Sequence, residues 1–168
     1  MRNPHAMLLL AAALLLGGCS YRPLYGTSAD SAGVAATLAS VSIPPATDRL
    51  GQIIRNDLVS GMGRSNGEER YTLLLKPKLT KTGQIDKPQP NVTRQAVHLT
   101  VSYDLVERTS GATVHSGKTF SQVSFDLVRQ PFADMQAETT ATERVAHEVS
   151  ADIRLRLAAY FSSQSDAQ

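Results

Sequence analysis

The chain has one cysteine and no tryptophan among 168 residues, and aromatic residues make up only 5% of it. A single cysteine excludes an intrachain disulfide. The missing tryptophan and sparse aromatics argue against a site built to stack bases or sugars. Charge of one sign is also lacking, with 17 Lys and Arg against 15 Asp and Glu. A nucleic-acid-binding domain would carry a basic excess or stripe, so that class is set aside. Long apolar runs are absent beyond the N-terminus. The length suits one domain rather than two.

The N-terminus carries the first positive signal. Arg2 precedes an apolar run from Ala6 to Leu16. Its length of roughly 11 residues fits an export signal and falls short of the ~20 needed to span a bilayer. Leu16-Gly17-Gly18-Cys19 follows, an aliphatic residue and two small ones before the only cysteine. This is the form of a bacterial lipobox. Small residues let the chain lie extended in a signal peptidase, and the thiol is the nucleophile that takes a diacylglycerol. Cleavage would make Cys19 the first mature residue. A diacylglycerol thioether plus an N-acyl chain supplies enough hydrocarbon for stable anchoring. Ser20 stands where an Asp would favour retention in the inner membrane, so outer-membrane sorting is expected.

Residues 1–18 are therefore read as signal peptide and 19–33, rich in Ser, Gly, Ala and Tyr, as lipidated N-terminus and tether. Residues 34–162 form the folded domain, and 163–168 a frayed tail. Ala39, Val41 and Ile43 alternate with serines as a short strand that Pro44-Pro45 ends. Thr47 or Asp48 can cap a helix whose apolar face is Leu50, Ile53, Ile54, Leu58 and Met62. Gly61 and Gly63 mark its end. Strand patterns follow around Tyr71–Lys76, Val97–Leu105 and Val123–Leu127, with a polar link at 81–91 and a hairpin turn at 108–113. Phe120 is out of phase with its strand, a sign of a bulge or an exposed apolar contact. A final helix from about Met135 to Phe161 carries the stripe Val145, Val149, Ile153 and Leu157, backed by Ala146 and Tyr160. The order β-α-β-β-β-α predicts an α+β fold. Two helices pack on one face of a four-stranded, mostly antiparallel sheet, and the other face stays polar and open.

No enzyme signature emerges, and neither a metal nor a cofactor is expected. His147-Glu148 opens like a zinc-protease helix motif, but the fifth position is Ala151. No G-x-S-x-G elbow or glycine-rich phosphate loop is present. His98 and Asp104 share a strand face roughly 20 Å apart, too far for a dyad. Glu107, Asp126 and Asp134 read as strand ends and a helix cap. The basic residues are more informative. Lys76 and Lys78 share a strand face, and "LKPKLTK" continues to Lys81. Arg94 precedes the clearest strand and Lys118 stands near the start of the last. Gathered on the polar face or at one end of the sheet, they would suit phosphate or carboxylate groups such as a lipid A headgroup. Solvated lysines that block edge-to-edge aggregation are the other reading.

"CSYRPLYG" (19–26), "TRQAVHLTVSYDLVE" (93–107) and "GKTFSQVSFDLVRQPFADMQAE" (117–138) resemble the alphaproteobacterial type of the lipopolysaccharide-assembly lipoprotein family LptE. The resemblance covers the whole mature chain in order and length of elements. It implies two helices on a four-stranded sheet and a lipoprotein seated inside an LptD-like outer-membrane barrel. Such a protein acts as plug and assembly factor and binds lipopolysaccharide. A basic position near the start of the family's fourth strand is tied to that binding, and Lys118 in "SGKTF" matches it by place. Lys76, Lys78 and Arg94 are candidates from this chain's own pattern. The alternative is a periplasm-facing ligand-binding or envelope-structural lipoprotein with no barrel partner; a hydrolase with an unrecognised site is the third reading. The lipobox makes a direct prediction. Cys19→Ala is expected to abolish acylation, read as loss of palmitate labelling and of cleavage before residue 19.

Overall fold

The computed structural model describes residues 29–63, 67, 69–84, 93–128 and 130–165. The expected signal peptide, the lipobox and most of the tether lie outside the described residues. The elements run α1 (Ala29–Ala39), β1 (Val41–Ser42), α2 (Arg49–Met62), β2 (Tyr71–Gln84), β3 (Thr93–Glu107), β4 (Thr113–Leu127) and α3 (Pro131–Ser165). The sheet order is β1-β2-β3-β4, with β1 parallel to β2 and the other pairs antiparallel. The helices cover one face, as the alternation of β3 predicts.

Burial follows the two periodicities. Val97, Leu99, Val101, Tyr103 and Leu105 of β3 are buried, and so are Val145, Val149, Ile153 and Leu157 of α3. Ile54, Leu58 and Met62 of α2 complete the layer. Asp48, rather than Thr47, caps α2: its carboxylate accepts the Gly51 N–H at 3.1 Å. Gly63 follows the helix at φ +82°, a left-handed conformation that favours glycine. At the other border, Asp134 accepts the Val128 N–H at 2.9 Å, and Pro131 opens α3 where a missing N–H costs nothing. The helix therefore begins four residues before Met135 and runs through the first part of the expected tail.

One element was not expected. α1 begins inside the segment assigned to the tether and takes up Ala39, which leaves β1 only two residues. Its alanines favour helix, and Val34 and Leu38, four apart, enter the core. Two anchors are too few to show a helical period in sequence. β2 is longer than expected and takes in Lys81–Gln84, the first part of the polar link. Lys81 points to the helix layer and pairs with Glu138 of α3. The register explains how β2 tolerates Pro77. Arg108 donates its N–H to Arg70 O at 2.9 Å, so Tyr71, Leu73, Leu75 and Pro77 sit at non-hydrogen-bonded positions opposite β3. Pro77 directs its nitrogen to the outer edge and removes no β2–β3 bond.

β4 is held to α3 by polar groups. On its inner face Thr119 and Ser121 are buried and donate to Asp152 and Glu148, each at 2.5 Å. Arg156 and Arg144 flank these carboxylates at 2.7 and 3.2 Å. Gly117 faces Tyr103 across the strands, and a Cβ at residue 117 would overlap the phenol ring. The only register shift between β3 and β4 lies between Leu105 and Val106, so Phe120 sits in a regular ladder.

Two predictions follow from this seam. Gly117→Ala is expected to destabilise the domain by about 1–3 kcal/mol in a urea melt, the usual cost of overpacking. The Ser121 hydrogen bond, with help from Arg144, holds the Glu148 carboxyl below its usual range against the opposing effect of burial. Unfolded Glu titrates near ~4.3, so the stabilisation is complete above that pH and is lost as pH falls through the lower folded value. The stability gap between wild type and Ser121→Ala is expected to be widest at neutral pH and to narrow below about pH 4.

Candidate functional site: a cationic open sheet face

Across the centre of the sheet the even-numbered residues of β2 (74–80), β3 (98–104) and β4 (116–122) point away from the helices, and their register makes rungs across the face. Lys76, Ser102 and Lys118 form one rung, and Lys78, Thr100 and Phe120 the next. With strands ~4.8 Å apart, Lys76 and Lys118 stand about 10 Å from each other across Ser102, and Lys78 within about 12 Å of Lys118. Three of the four basic candidates therefore converge. All three lysines are exposed. Lys76 donates to Asp104 at 2.9 Å, while Lys78 and Lys118 have no ion-pair partner among the described residues. The local surplus is two positive charges beside the Ser102 and Thr100 hydroxyls.

Arg94 does not join them. It shares the outward face but stands eight residues along β3 from Ser102, about 27 Å at the rise of a strand. It pairs with Asp126 at 3.7 Å. The other sequence candidates take structural positions. Ser110 donates to Glu107. His147 meets Asp57 of α2 at 2.5 Å through Nδ1, and Glu148 turns to Ser121. His115 lies on the inner face, stacked on Tyr160 at 4.5 Å. Among the described residues no group of three His, Cys, Asp or Glu could hold a metal ion, and no helix is long and apolar enough to cross a membrane.

Phe120 is the residue that the basic pattern did not point to. It is 71% exposed on the lysine face, stacked on His98 with ring centroids 5.6 Å apart and planes 27° from each other. His98 in turn meets Thr100 Oγ1 through Nε2 at 3.2 Å. Its phase in the sequence was the available signal, and the register resolves it as an exposed contact. The face thus offers two free ammonium groups, hydroxyls and one aromatic surface. Such a set suits an anionic group with an apolar flank.

The same layering occurs in solved bacterial structures. A Caulobacter crescentus CB15 protein assigned as a lipoprotein matches with 28% identity and a TM-score of 0.65, over 78% of this chain and 97% of its own. Rare lipoprotein B of Shewanella oneidensis matches with 13% identity and a TM-score of 0.57, over 74% of this chain and 96% of its own. The fold is of the rare lipoprotein B type. A minor lipoprotein of Acinetobacter baumannii shares it at 17% identity and a TM-score of 0.53, over 71% of this chain and 89% of its own. No protein-family model and no curated protein matches the sequence.

Phe120 also separates a surface role from a folding role. Phe120→Ser is expected to change unfolding free energy by less than about 0.5 kcal/mol, as for exposed side chains in general. A denaturant melt checks this.

Proposed function

We propose that this chain is a lipoprotein anchored to the outer membrane through Cys19, partnering the barrel that inserts lipopolysaccharide and contacting lipopolysaccharide through the open sheet face. The observation that carries the reading is the Lys76–Ser102–Lys118 rung with Lys78 beside it, on a face that none of the described elements covers. The lipobox and the rare lipoprotein B type of fold support it. Lysine ammonium groups attract phosphates as compact point charges, and here they take the place of the divalent cations that bridge neighbouring lipid A phosphates. The lipid fixes the domain at the inner leaflet. The folded domain enters the barrel lumen, where polar surfaces meet a polar wall. Binding only the native barrel favours its folded state by mass action.

Lys118→Glu is expected to weaken lipopolysaccharide binding at least about tenfold, the equivalent of one lost charge-assisted contact. Arg94→Glu, far along the sheet, is expected to leave it unchanged. Binding to immobilised lipopolysaccharide at two salt concentrations measures both, and the wild-type affinity should fall with salt. Equal loss in both variants removes the rung from the site. A tagged copy from detergent-solubilised outer membranes should bring down the barrel, also with Lys118→Glu. Its absence would leave a ligand-binding lipoprotein with no barrel partner.

A further inference from the structure

After Ser42 the chain turns away from β2, because Pro44-Pro45 cannot extend a strand. The β2 edge beyond it, unpaired among the described residues, opens into a groove of about 410 Å³. Pro44, Pro45 and Ala46 form one wall, and Leu73, Leu75 and Pro77 the other. The fully buried Ile54 lies at its base. The Pro44–Asp48 wall is held in place: Arg55 donates from Nε to Ile43 O at 2.9 Å, and Asp48 caps α2. Leu74 and Lys76, which point to the outward face, also line the groove. It is therefore continuous with the lysine rung, and Lys76 belongs to both.

We propose that this groove takes one acyl chain of an anionic lipid whose phosphate rests on the rung; the assignment of that lipid as lipopolysaccharide relies on the function proposed above. The volume and lining match a small-molecule site, apolar with a few polar groups at its border. Each buried methylene contributes about 0.8 kcal/mol, so a chain of modest length offsets the freedom it loses on binding. The cation at the border supplies charge complementarity for a head bonded to that chain. A peptide strand added to the same edge fits less well. Along this stretch β2 offers it no N–H beyond those of Leu73 and Leu75, since the Pro77 nitrogen faces the edge without a hydrogen.

The test uses the full lipidated chain in membranes and a lauroyl glycerophosphate bearing a diazirine at the end of its acyl chain. Photolysis is expected to label segments 43–48 and 73–77, mapped by mass spectrometry. Ala46→Trp, which fills the groove, and Pro45→Trp, at an exposed position on its wall, should each lower that label at least about tenfold, the loss of two or so buried methylenes. Both should leave lipopolysaccharide-head binding intact, measured with deacylated lipopolysaccharide. Two variants guard against one that fails to fold. Label spread evenly along the chain, or undiminished in folded variants, overturns the groove. So does an unlabelled groove in a chain that still binds deacylated lipopolysaccharide, the outcome if a partner peptide fills it. Groove labelling without any lipopolysaccharide binding would keep the acyl site and overturn the functional reading instead.

Discussion

One-sided burial is the constraint on which the rest of the molecule depends. The β3 side chains from Val97 to Leu105 and the α3 stripe from Val145 to Leu157 meet in a single apolar layer. Strand geometry sends alternate residues to opposite faces, so each side chain committed to that layer leaves a neighbour pointing outward. With the described helices on the inner side, the outer face receives Thr100, Ser102, Asp104 and the lysines opposite them. The open face is therefore a consequence of how the core is built. None of the described elements covers it.

The edges of the sheet are managed differently from its centre. β2 carries Pro77 and exposed lysines, devices that discourage further strand pairing. β4 contributes hydroxyls to the interior where β3 contributes aliphatic groups, and α3 meets them with Asp152 and Glu148, each backed by an arginine. This seam is directional, and its hydrogen bonds hold β4 in one position on α3. Because the position of β4 decides which residue stands opposite Ser102, the seam on the inner face supports the placement of Lys118 on the outer one. Gly117 contributes from the same strand by leaving room for the Tyr103 ring.

Most of the architecture was legible because its signals are periodic. The stripes of α2 and α3 and the alternation of β3 each identify one buried face, and the layering follows. α1 escaped notice because among its described side chains only Val34 and Leu38 are buried apolar anchors, and its Ala-rich composition also suits a tether. The extent of β2 was hidden by Pro77, which breaks a central strand but is tolerated at an edge. The site was legible in part. Lys76 and Lys78 share a face by simple parity, whereas Arg94 shares the parity but stands too far along the strand. Phe120 looked irregular because one expects β4 to bury its apolar residues.

By itself the sequence determined what depends on short contiguous chemistry: the single cysteine behind its apolar run, the caps and breaks of α2, and the faces that each element must bury. The tertiary structure alone decided which distant residues became neighbours. Lys118 stands beside Ser102 and Lys76 only because two antiparallel registers align them, and a shift of one residue in either would turn the lysine to the other face. The groove at the β2 edge likewise exists only where the end of β1, the start of α2 and β2 come together. Register and packing are set by contacts across the whole layer, so no local stretch of sequence contains them.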